Sequence, residues 1–154
     1  MSEPIIEQIA QWIENALDGA ADPDTTLILR SIRPTILDWS ELQLIHGDVI
    51  IGLISVKTES YTNTSRTELA EFLLDGCVSQ LPDSVKADTV LARFAETIRK
   101  TLLAGNTSGT ACNGLAISLD CDETEFAVSE GGVDVLVKCK VIYTTNIFDG
   151  YTQS

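Results

Sequence analysis

The chain of 154 residues carries 23 aspartates and glutamates against 10 lysines and arginines, a formal net charge of -13, and is 44% hydrophobic. This length is about that of one ordinary domain and buries roughly two thirds of the surface its unfolded chain exposes, so it can fold without disulfide or metal staples. The acid surplus excludes the basic footprint of a protein that grips nucleic acid, and no apolar run reaches the ~18 residues that a membrane helix requires.

The opening MSEPIIEQ has two acids and no base. It is unlike a secretory signal or transit peptide, and the expectation is an intracellular protein. The next pattern is an amphipathic helix: Ser2 as N-cap, Pro4 in the first turn, then Ile5, Ile6, Ile9, Trp12, Ile13, Ala16 and Leu17 at helical spacing, ended by Asp18-Gly19. After the loop GAADPDT, residues 26–33 (TLILRSIR) alternate as a short strand that Pro34 closes. PTILDWSELQLIHGD is irregular, with one helical turn expected at Ser40 to Leu44, capped by Asp38 or Ser40.

The Gly47-Asp48 turn leads into VIIGLISVKT, apolar on both faces, which reads as a central strand covered on both sides. ESYTNTSR follows as a polar, mobile loop. Residues 67–80 (TELAEFLLDGCVSQ) fit both periods. Helix propensity favours one reading, while Gly76 and the need for strand partners favour the other, and a strand is the assignment adopted. Leu81 to Ser84 form a turn and cap. Ala87 to Ala104 is the clearest helix, with Val90, Leu91, Phe94, Ile98, Leu102 and Leu103 in one stripe and Gly105 beyond its end. TLLAGNTSGTACNG reads as a flexible loop.

Leu115, Ile117, Leu119 and Cys121 mark a further strand, and EGG turns into the last one. There Val133, Val135, Val137, Cys139, Val141 and Tyr143 share one face, with Lys138 and Lys140 on the other. The order α-β-β-β-α-β-β predicts an α+β fold: one antiparallel or mixed sheet of about five strands, two helices packed on it, and one domain over 1–154 with a short tail at 147–154.

Little in this pattern carries chemistry. His46 is the sole histidine, and before a glycine turn it reads as a surface residue rather than a catalytic one. The cluster Asp120, Asp122, Glu123 and Glu125 lacks a calcium-loop rhythm, and in a regular strand its carboxylates would diverge to two faces. The glycines of 101–114 have neither the lysine nor the strand-to-helix setting of a phosphate-binding loop. Cys77, Cys112, Cys121 and Cys139 form no CxxC pair, and Cys121 and Cys139, inside strand patterns, read as small buried apolar residues. No catalytic residue, metal site or cofactor is expected.

The element order, with the short strand ending in R-x-x-P, the DWSEL segment, the apolar strand GDVIIGLISVK, the TNTSR loop, the long helix and the final hairpin, resembles the tail terminator proteins of tailed bacteriophages. These are also called tail completion or head-to-tail joining proteins. The resemblance covers about Ile5 to Tyr143. It implies a non-enzymatic virion protein, assembled in the host cytoplasm, whose copies close a ring, commonly a hexamer, on the tail tube. Its partners would be itself, tube and sheath proteins and neck or connector proteins, with DNA only passing through and no membrane. On that reading Asp120, Asp122, Glu123 and Glu125 are candidates for an acidic lumen that repels phosphates. Tyr61, Arg66, Lys138, Lys140, Phe148 and Tyr151 are candidates for interfaces. Another neck or connector protein of the same virion, a cytoplasmic ligand-binding domain and a small enzyme remain as alternatives.

Overall fold

The computed structural model describes residues 3–22, 27–35, 39, 42–79, 86–107, 109–129, 132–151 and 153. Two helices lie on one face of a five-stranded sheet, in the chain order α1 (Ile5–Leu17), β1 (Arg30–Ile32), β2 (Asp48–Tyr61), β3 (Ser65–Val78), α2 (Ala87–Leu103), β4 (Ser118–Ser129) and β5 (Gly132–Asn146). The sheet order is β1-β2-β3-β5-β4. β1 runs parallel to β2 and every other pairing is antiparallel, so the sheet is mixed.

Helix α1 forms where the sequence places it. Ile5, Ile9, Ala10, Ile13 and Leu17 are buried on one side, and the chain leaves the helix through Gly19, whose φ of +82° suits a residue without a side chain. The proposed cap Ser2 lies outside the described residues. The first helical amide, Ile5 N–H, which has no partner within the helix, donates instead to the Gly150 carbonyl at 2.7 Å. Helix α2 buries Phe94, Ala95, Thr97, Ile98 and Leu102.

These faces meet a row of β-branched, small and aromatic side chains on the sheet: Val49, Ile51, Ala70, Phe72, Leu74, Val135, Val137, Cys139 and Val141. Burying each large apolar side chain in such a layer contributes about 1.5–3 kcal/mol. Close approach is built in at Gly76, where an added Cβ would enter the space of the Phe94 ring. The ambiguous segment is thus a strand, β3. Its residues from Glu68 to Val78 alternate buried and half-buried, and α2 has room to sit down because Gly76 has no side chain.

Four expectations are corrected. β2 is covered only at its start: Asp48 to Ile51 are buried, and Leu53 to Tyr61 are exposed on both faces. The cover ends because β1 pairs only with Asp48, Val49 and Ile50. Glu59 to Tyr61 and Ser65 to Arg66 are not loop but strand, with Glu59 the extra residue of a bulge, and a tight turn joins them in which Thr62 N–H donates to the Ser65 carbonyl. The strand expected from Leu115 begins at Ser118, and Leu115 lies in the preceding turn. The loop of 104–117 is anchored rather than free-running, with Ala111, Cys112 and Ala116 buried and Ala111 paired with Ala116.

Of the helical turn expected at 40–44, residues 40 and 41 lie outside the described set, as do the proposed cap Asp38 and the turn at 81–84. Leu42 to Leu44 are not helical.

Candidate functional site

The polar face of the sheet is where the acids and lysines of the sequence meet. In a regular strand Asp120 and Glu123 would point to opposite sides, because successive side chains alternate. A β-bulge at Asp122 changes this: Cys121 pairs with Cys139, the next pair is Glu123 with Lys138, and Asp122 is the extra residue. Downstream of it every side chain changes face. Asp120 opposite Lys140, Glu123 opposite Lys138 and Glu125 opposite Leu136 therefore share the polar face. The expected divergence of the four carboxylates is overturned by one inserted residue.

The two lysines are held within this patch. Lys140 Nζ lies 2.8 Å from Asp122 Oδ2 and 3.9 Å from Glu71 Oε1, and Lys138 Nζ lies 3.2 Å from Glu123 Oε2. The Lys140 contact keeps the Asp122 carboxyl below the usual carboxylate range, and both lysines are raised by their acidic partners. All these groups face solvent, so the pairs set orientation more than stability. The patch keeps a surplus of carboxylate.

The other four candidates gather at a different place, the end of the sheet where β2 turns into β3. Tyr61 pairs with Arg66 across the hairpin. Ile147 N–H donates to the Thr64 carbonyl, and Arg66 Nη2 reaches the Asp149 carbonyl at 3.5 Å. Arg66 also lies 3.4 Å from Glu68, which accepts a hydrogen bond from Thr58 Oγ1. The C-terminal segment is thereby pinned to the hairpin and to α1, while its rings at Phe148 and Tyr151 stay exposed. Tyr61, Arg66, Phe148 and Tyr151 thus form one aromatic and cationic end, separate from the acid-lysine patch.

The histidine and the cysteines are engaged within the fold. His46 sits in the turn before β2, accepts the Ser79 N–H at its Nδ1 and meets the edge of the Phe94 ring; its burial lowers its pKa. Cys121 and Cys139 face each other across β4 and β5, where their mutual hydrogen bond and burial keep the Cys139 thiol protonated. Burial pushes Cys112 up to about 12. All four cysteines are free. Among the described residues no group of three or more His, Cys, Asp and Glu side chains is arranged to hold a metal ion.

A groove of about 490 Å³ runs between α2 and the loop after α1, lined by Asp22, Arg93, Glu96, Thr97, Lys100 and Thr101 among others. Its polar groups are largely committed within the chain. Arg93 forks onto Asp22, Thr97 Oγ1 donates to the Arg93 carbonyl, and Thr101 Oγ1 donates to the Thr97 carbonyl.

What alternation in the sequence does not reveal is a set of bare apolar side chains on the two long strands flanking the sheet's middle pair. Leu53, Ile54 and Val56 on β2 are 51%, 51% and 46% exposed, and Phe126 and Val128 on β4 are 49% and 87% exposed. Position in the sheet, not strand length, leaves them bare: β3 and β5 are as long but lie in the middle and are buried or half-buried throughout, whereas β4 is an edge strand and β2 becomes one where β1 ends. No protein-family model matches the chain, and no curated protein matches its sequence.

Proposed function

We propose that this protein is a non-enzymatic structural subunit that works by self-association, in the manner of the phage tail terminators it resembles: a ring that caps a tail tube, joins it to the neck and lets DNA pass. One observation carries the reading. β2 runs on well past the end of β1, so that Leu53 to Tyr61 are exposed along their length with bulky apolar side chains among them, while β3 beside it stays buried or half-buried. A contiguous exposed apolar surface on a small acidic protein costs solubility unless something covers it. In a ring subunit a neighbour covers it.

The acidic patch suits a lumen. Four carboxylates on one face, only partly offset by Lys138 and Lys140, would repel phosphates during passage. The aromatic end around Tyr61 and Phe148 is the corresponding candidate for contact with tube or neck proteins. The experiment is to add the purified protein to polymerising tail-tube subunits and image the products. Tubes that stop growing and carry a ring at one end support the proposal; tubes of unchanged length with bare ends contradict it.

A further inference from the structure

We infer that copies of this chain join head to tail by continuing the sheet, the open half of β2 in one subunit pairing antiparallel with the outer edge of β4 in the next. This deepens the self-association proposed above and rests on it. Among the described residues, β2 beyond Ile50 has a strand partner only on its β3 side, and β4 has one only on its β5 side. Apart from the Leu119 carbonyl, which accepts from Asn106 Nδ2, both edges therefore offer backbone donors and acceptors with no strand partner among the described residues, the feature that recruits another strand.

The side chains match on both faces of such a continued sheet. On the helix side, Leu53 and Val56 share the face of Phe72 and Ala70, while Phe126 and Val128 share the face of Val135 and Val133, so both apolar sets lie on one side. On the polar side, Lys57 opposite Leu69 and Glu125 opposite Leu136 also share a face, and both are exposed. The contact thus sets apolar against apolar and cation against anion at once.

The directions agree as well. β2 and β4 run in opposite senses within the subunit, so the added pair is antiparallel.

Pairing like with like does worse. Two β4 edges would bring Glu123 and Glu125 against their own copies in a chain of net charge -13. Two β2 edges would leave Phe126 and Val128 bare. One head-to-tail contact, repeated, covers both apolar sets, and a repeated heterologous contact closes a ring when its rotation allows. The bare part of β2 is at the hairpin end of the sheet and that of β4 at the opposite end. The strands must therefore tilt to the ring axis, as they do in closed barrels.

The test uses Val56→Asp and Val128→Asp, alone and mixed, with mass read by sedimentation and fold by circular dichroism and thermal midpoint. Both positions are exposed, so both variants keep the wild-type fold. Each alone is monomeric, and an equal mixture gives a one-to-one dimer, through the intact β2 of one and the intact β4 of the other, and nothing larger. Assembly of Val128→Asp as wild type, or a mixture that stays monomeric, overturns the inference, as does a monomeric wild type.

A second pair of changes is independent of apolar loss. Lys57→Glu and Glu125→Lys each weaken assembly at least about tenfold, and the two in one chain restore it; no effect of either overturns the inference. Val56→Asp monomers that still stop tube growth would overturn this interface and leave tube capping standing. Wild-type rings that close through these edges while tubes keep growing would do the reverse.

Discussion

Asp122 reaches Lys140 at 2.8 Å although the residue directly opposite Lys140 is Asp120. The bulge makes this possible: Asp122 is the unpaired extra residue of β4, free of the ladder, and its carboxylate swings over the lysine two positions away. The same insertion turns Glu123 and Glu125 onto the polar face.

Deleting Asp122 should therefore leave a regular ladder with Cys121 and Glu123 now adjacent and still opposite Cys139 and Lys138. The variant is expected to fold, with its thermal midpoint within about 3 °C of wild type, because only solvent-facing pairs are lost. A thermal melt checks this. A large loss of stability would mean that the bulge supports the core as well as the patch.

Neutralising the patch with Asp120→Asn, Asp122→Asn, Glu123→Gln and Glu125→Gln leaves Lys138 and Lys140 without these cross-strand acids. The sign of the local charge then reverses, and the surface should hold DNA instead of repelling it. Anisotropy with labelled duplex is expected to show weak binding that fades steeply with salt, absent in the wild type. In particles, ejection is expected to slow. Unchanged ejection kinetics would remove the lumen role from these residues.

Asp75 lies half-buried on the polar face of β3, with Oδ1 lacking a hydrogen-bond partner, and burial together with the nearby Asp134 raises its pKa to about 6. The folded state then binds a proton that the unfolded chain has released, over the window from the ordinary carboxylate pKa near 4 up to about 6. Stability from this group is present below that window and lost as pH rises through it. Asp75→Asn should raise the thermal midpoint at pH 7 to 8 and change it little near pH 4. Equal destabilisation at both pH values would show that the charge is accommodated.

Gly76→Ala tests the seat of α2. A methyl there meets the Phe94 ring, and relieving the overlap should cost about 1–3 kcal/mol in chemical denaturation. Stability equal to wild type would show that the helix can shift at no cost.

Much of this architecture is written in periodicity. The stripe Val90, Leu91, Phe94, Ile98, Leu102 specifies α2, and the alternation from Val133 to Tyr143 specifies β5, because each burial face follows from one local repeat. β3 is ambiguous in the sequence, since Leu69, Phe72, Leu73 and Cys77 satisfy a helical repeat too. Only pairing with β2 and β5 on either side decides it. The bulges at Ile54, Glu59 and Asp122 cannot be read from the sequence, because an inserted residue leaves no mark on composition and yet changes the face of everything after it.

The extent of cover was hidden for a related reason. Leu53 and Val56 look like core residues in the sequence, and what leaves them bare is the shortness of β1, a partner remote in the chain. The candidate residues divide accordingly. The acids and lysines stand together in the sequence, but their convergence on one face depends on the bulge, and the apolar edges depend on pairing between segments remote in the chain.

The proposed function requires that subunits of this chain hold one another in a closed ring. Native mass spectrometry of the purified protein tests it most directly. One species at a fixed multiple of 16.7 kDa, about 100 kDa for a hexamer, unchanged on dilution through the micromolar range, is the expected result. A monomer throughout that range, or an open ladder of lengths that grows with concentration, would contradict it.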